Sequence, residues 1–145
     1  MKKLIPTKKI PHSYERCFND SCPQSHECLH HQAYQLTRGQ RLCGPAIYPE
    51  AWAEGTCQRF TDSQPVQLAW GFSSLYRNVP RHQRAEARHR VMQYFSSGNG
   101  PYYRHHHGEQ KLTPRQQQDI LQIVSAYGTT DDVFFDHYEL GYDFS

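Results

Sequence analysis

No apolar run in this 145-residue chain approaches the roughly 18 residues that a bilayer-spanning helix requires. Its opening Met-Lys-Lys-Leu-Ile-Pro also lacks the apolar centre of a secretory signal. These absences give the expectation of a cytoplasmic protein with no membrane partner. Apolar residues make up only 37% of the chain and mean hydropathy is −0.88, so there is little material with which to close a core by burial alone. A structural metal is the common remedy in small polar domains. No nucleophile, base and orienting acid stand out together, so the chain is not expected to be an enzyme. Internal repeats and low-complexity tracts are absent as well.

What the chain does have is cysteine in an unusual place. Cys17, Cys22 and Cys28 fall within a polar stretch of twelve residues, and Cys43 and Cys57 follow. An odd number of thiols in a reducing compartment favours thiolate ligands over cystines. Zinc takes four soft or borderline ligands, so a fourth must come from farther along the chain. Cys57, after Gly55, and Cys43, before Gly44-Pro45, are the candidates, with His12, His26, His30 and His31 as weaker ones. The gaps are wider than those of a Cys-x2-Cys knuckle, and an iron–sulfur cluster held by four thiolates is the alternative cofactor. A site closed by four thiolates leaves no open position for water, so the metal would be structural.

Charge is arranged unevenly along the chain. Between Arg77 and Arg115 lie eight Lys or Arg residues against Glu86 and Glu109, while five acids and no Lys or Arg occupy the chain from Asp131 onward. A basic middle suits a polyanionic partner, and an acidic tail could neutralise it or meet a protein.

Turn residues and apolar spacing divide the chain into three. Residues 1–13 read as a basic extended arm with Lys2, Lys3, Lys8 and Lys9, and residues 14–62 as a loop-rich, cysteine-rich metal-binding module with one short helix from His26 to Leu36. Residues 63–145 read as a helical domain with an acidic aromatic tail. Within it, Val66, Ala69, Trp70, Phe72 and Leu75 have roughly helical spacing. Arg81 to Phe95 forms a stronger helix, Ser96 to Pro101 breaks it, and Tyr102 to His107 resumes, ending at Gly108. Thr113-Pro114 opens a last helix through Ile120, Leu121, Val124 and Tyr127 to Gly128. The tail from Val133 to Phe144 is expected to pack across these helices. The fold class expected is mainly α, a zinc-like module followed by a small helical bundle.

The layout from Val91 to Glu109 resembles the helix–turn–helix of the Cro and phage-repressor class, in which the second helix lies in the major groove. The resemblance implies Phe95 as the core residue before the turn and Tyr102 as the residue that locks the second helix inward. It presents Asn99, Tyr103 and Arg104 toward bases, with Lys111 and Arg115 placed for phosphates. Gly98, Gly100 and Met92 depart from the pattern. Three consecutive histidines, His105 to His107, project about 100° apart on a helix and cannot converge on one ion.

Three segments resemble an uncharacterised family of short bacterial proteins: Cys17-Phe-Asn-x-x-Cys22-Pro-x-x-x-x-Cys28-Leu, Gly44-Pro-Ala-Ile-Tyr-Pro49, and Tyr103-Arg with Gly108-Glu and Leu112-Thr-Pro. The resemblance implies no activity, but it places the fourth ligand at Cys57 rather than Cys43. Together these readings give the expectation of a small zinc-stabilised accessory or regulatory protein that binds DNA. A non-catalytic protein-interaction adaptor and an iron–sulfur protein are the alternatives.

Overall fold

The computed structural model describes residues 5–95 and 99–145. Lys2 and Lys3 of the basic arm, and Ser96, Ser97 and Gly98 of the expected break, lie outside the described residues. The chain divides into two compact units, residues 1–65 with 142–145 and residues 66–141.

In the first unit, Ile5, Ile10, Tyr14, Leu29 and Ala33 are buried together, with Leu36, Tyr142 and Phe144 packed on them. The segment read as an extended arm thus contributes two core isoleucines around a 3-10 turn at Thr7–Lys9. Helix α1 (Leu29–Thr37) carries Leu29 and Ala33, four apart, on its buried face. It starts after Cys28, whose extended backbone separates it from a 3-10 turn at Ser25–Glu27. Two short strands, β1 (Trp52–Ala53) and β2 (Thr56–Cys57), form a hairpin. Its turn holds Glu54 and Gly55 at positive φ, a conformation that glycine adopts without strain.

The second unit contains β3 (Val66–Trp70), α2 (Arg84–Tyr94), α3 (Gly100–His107), α4 (Pro114–Ser125) and β4 (His137–Gly141). Strands β3 and β4 pair antiparallel, with Val66 opposite Gly141 and Trp70 opposite His137. The expectation of a mainly α chain is therefore wrong: four helices and two antiparallel two-stranded sheets make the described residues mixed α and β. The stripe from Val66 to Trp70 is a strand because Gly71, at φ +88°, stops the run after five residues, too few for a stable helix. Its partner is the aromatic tail, which extends the sheet instead of lying across helices. Helix α2 packs against α4 and α3. Helix α3 abuts the end of β3, where the Gly71 N–H donates to the His105 carbonyl at 3.2 Å and the Phe72 N–H to His106 Nδ1 at 3.0 Å.

Local chemistry explains the helix ends. Thr113 and Gln116 form a reciprocal capping box at α4, with Pro114 in its first turn. Gly108 closes α3 at φ +82°, and a Cβ there would meet Trp70 Nε1 at 2.7 Å. The core gathers Phe72, Leu75, Val91, Leu112, Ile120, Val124 and Phe135. Burying Ala87 and Val91 of α2 leaves Arg84 and Arg88, also four apart, on an exposed face.

Candidate functional site

In the first unit, backbone hydrogen bonds draw the segments that carry four of the cysteines toward the start of α1. The Cys17 N–H donates to the His30 carbonyl at 3.2 Å, and turns at Asn19–Cys22 and Cys22–Ser25 lead on to Cys28. Cys28 bridges to Asp62, and the Leu29 N–H donates to the Thr61 carbonyl at 2.7 Å, which brings in the chain just beyond Cys57. Burial pushes the Cys17 thiol up from its ordinary value, and the Asn19 N–H directed at its sulfur pulls the other way. Cys28, Cys22 and Cys57 each add to the rise by their proximity. The thiols that bear on Cys17 are thus Cys22, Cys28 and Cys57, whereas Cys43 is exposed, and all five cysteines are free. Among the described residues, no group of three or more His, Cys, Asp or Glu side chains is arranged to hold a metal ion.

The histidines of this unit are engaged elsewhere. His30 is buried, stacked on Tyr14 at 4.5 Å, with Nδ1 on the Glu15 carbonyl at 2.8 Å and Nε2 beside the Thr61 hydroxyl at 3.1 Å. His31 donates from Nδ1 to the Cys17 carbonyl at 3.1 Å and faces Asp20 and Gln35 through Nε2. His12 and His26 are exposed. Against the expectation of a chain without a His-Glu-x-x-His motif, His26-Glu27-Cys28-Leu29-His30 has that spacing, the one found in zinc hydrolases. That motif works when one helix puts both imidazoles on the same face. Here the extended backbone of Cys28 interrupts it, and His30 has its ring nitrogens occupied. A broad groove of about 1120 Å³ runs past His26, Glu27, His31 and Gln35, with Ile5, Leu36 and Tyr142 also in its lining.

The second unit holds a cleft of about 320 Å³ that the sequence did not reveal. Its walls come from the loop after β3, from α2 and from α3. Gly71 starts the loop and Asp136 shapes it, accepting from the N–H groups of Ser73 at 3.0 Å and Ser74 at 3.3 Å. A Cβ on Gly71 would lie 2.6 Å from the Asp136 side chain, so only glycine allows this approach. The loop brings in Tyr76 and Arg77, α2 brings Arg84 and Arg88, and α3 brings Tyr102, Tyr103 and His106.

Each cationic group on the cleft is anchored. Arg84 Nε donates to the Val79 carbonyl at 3.1 Å. The Arg88 guanidinium lies 5.9 Å from the Tyr76 ring centroid, a cation–π contact. Arg77 approaches Asp132, with Nε 3.7 Å from its carboxylate. Tyr76 and Tyr102 share a hydrogen bond of 3.0 Å, and burial pushes both phenols above their ordinary value, so both stay protonated. His106 accepts from the Phe72 N–H at Nδ1, which puts the proton of its neutral ring on Nε2.

The residues expected to meet nucleic acid are divided by this arrangement. Tyr103 is 44% exposed and lines the cleft, with its ring stacked at 6.2 Å and 22° on His107. Asn99 and Arg104 are exposed, and Arg104 folds back over Gly100 at the start of α3. Lys111 is taken, ion-paired to Glu139 and lying 4.8 Å from the Trp70 ring centroid. Arg115 is exposed in the first turn of α4. Phe95 packs against the core and Tyr102 is buried in it. The helix signals of the sequence located Tyr103, but Arg77, Arg84 and Arg88 reach the same cleft only through folding.

The chain belongs to a family of unknown function, DUF6078, whose model matches residues 1–144. No curated protein and no solved structure matches it. Among the described residues no helix is long and apolar enough to cross a membrane.

Proposed function

We propose that this protein is a non-enzymatic, nucleic-acid-binding accessory factor of the bacterial cytoplasm, in which residues 66–141 bind the polyanion and a structural zinc ion staples residues 1–65. The observation that carries the binding reading is the charge of the cleft. Arg84 is held by the neutral Val79 carbonyl and Arg88 lies over the Tyr76 ring, and among the described residues neither forms an ion pair. Two fixed guanidinium forks with no carboxylate against them are what phosphate oxygens require. Other cations of the chain are neutralised, as Arg59 is by Glu15 and Lys111 by Glu139.

The zinc reading is supported by the chemistry of the donors. Cys22, Cys28 and Cys57 each bear on the Cys17 thiol, in a unit whose buried apolar set is small. The ion would supply folding free energy and no reaction step.

The test of binding is a titration of labelled DNA and RNA oligonucleotides, single-stranded and duplex, at several salt concentrations. Association is expected to weaken linearly in log salt, with a slope of about −0.7 to −0.9 per phosphate neutralised. Loss of binding in Arg84→Gln with Arg88→Gln, in protein that keeps its far-ultraviolet dichroism, supports the assignment. Failure of every oligonucleotide to bind at low salt ends it.

A further inference from the structure

We infer that the cleft between the β3–α2 loop, α2 and α3 is a subsite for one unpaired nucleotide, its phosphate on Arg84 and Arg88 and its base on the Tyr103 ring. The inference deepens the nucleic-acid reading above and rests on it.

Shape argues first. A protein that reads duplex DNA inserts a protruding helix or ribbon into a groove about 12 Å wide. This site is the converse: a concavity of about 320 Å³, at the small end of the size that encloses a small ligand. Helix α3, which a duplex reader would have to offer, has eight residues, of which Tyr102 and His105 are buried.

The chemistry of the lining then distinguishes a nucleotide from a bare anion. Arg84 and Arg88 stand one turn apart on α2 and are anchored by the Val79 carbonyl and by the Tyr76 ring. Anchoring lowers the entropy lost when they close on a phosphate. Beside them the half-exposed ring of Tyr103, backed by His107, offers a flat aromatic face. Base stacking on such a face tolerates any sequence, because every base has a π surface. Inorganic phosphate satisfies only the arginines and a nucleoside only the tyrosine, whereas a nucleoside monophosphate satisfies both. A free nucleotide and an unpaired residue of a strand share this chemistry.

The experiment uses the full chain and measures anisotropy of a labelled oligothymidylate, alone and as its duplex with oligoadenylate. Displacement by AMP, adenosine and inorganic phosphate is followed in parallel. The single strand is expected to bind about tenfold more tightly than the duplex, and Tyr103→Ala to weaken it about tenfold with no change in thermal stability. AMP is expected to displace it at concentrations about tenfold below those at which adenosine or phosphate act. Equal binding of strand and duplex, unaffected by Tyr103→Ala, overturns the subsite and leaves the nucleic-acid reading standing. Binding of AMP with no oligonucleotide binding upholds the nucleotide site and removes the nucleic-acid reading. If none of these probes binds, both fall. Because Tyr103 is half exposed, its variant tests the inference even where arginine variants unfold.

Discussion

The hydroxyls of Tyr76 and Tyr102 lie 3.0 Å apart inside the second unit, and the Arg88 guanidinium lies over the ring of Tyr76. The ring of Tyr76, whose hydroxyl is fixed by Tyr102, therefore backs one cation that lines the cleft. Tyr76→Phe or Tyr102→Phe is expected to cost about 1 kcal/mol each. The double variant is expected to lose less than the sum, because both changes break the same bond. Urea denaturation of the three variants checks this, and strict additivity would contradict it.

Gly71→Ala is expected to be the most damaging single-methyl change in the loop that forms the cleft. It forces an L residue into φ +88° and sets a Cβ 2.6 Å from Asp136, whose carboxylate holds the Ser73 and Ser74 N–H groups. A loss of about 1–3 kcal/mol follows from the backbone conformation alone. The thermal midpoint of the variant measures it.

Thr113→Ala removes the side-chain acceptor for the Gln116 N–H and half of the reciprocal cap of α4. The expected cost is about 1 kcal/mol, read as a lower urea midpoint with an unchanged slope.

His105 gives the second unit a pH dependence of defined sign. Burial lowers its pKa in the folded protein, its Nδ1 proton is held by the Pro101 carbonyl at 2.7 Å, and Arg104 acts in the same direction as burial. The unfolded chain titrates near the ordinary value of about 6.5 and so takes up protons first as pH falls. Stability from this group is complete above that value and is lost as pH drops through the folded pKa. His105→Phe should flatten the stability profile between about pH 7 and pH 5. Unfolding midpoints across that range test it, and an unchanged profile would rule His105 out as its source.

Metal content separates the cysteines. Serine at Cys17, Cys22, Cys28 or Cys57 is expected to abolish bound zinc and to lower the thermal midpoint, while Cys43→Ser leaves both unchanged. Elemental analysis of protein purified without added metal is the check. Iron with sulfide, or a metal retained in all four variants, would reject the zinc assignment.

Sequence-local signals were readable wherever they sufficed to set structure. Pro101 and Gly108 bracket α3 and Thr113-Pro114 starts α4, whereas the face of α2 expected at Ala85, Val91, Met92 and Phe95 is buried at Ala87 and Val91, with Ala85 exposed. Helix α4 stops at Ser125, three residues short of the expected Gly128. Val66 to Trp70 misled because five residues with apolar positions three and four apart fit a helix as well as a strand. The choice between them was made by His137–Gly141, some seventy residues away, and pairing at that separation leaves no mark in either segment alone.

The same division holds for the candidate site. The sequence by itself determined that the middle of the chain is basic, that its thiols are concentrated early, and that Tyr103 sits on a short helix, since these depend on composition and on neighbours within a turn or two. Only the tertiary structure decided that Arg77, Arg84, Arg88 and Tyr103 share one cleft while Lys111 is neutralised by Glu139. Whether a charge is available to a ligand depends on which distant group folding places beside it, and long-range packing, not local propensity, makes that choice.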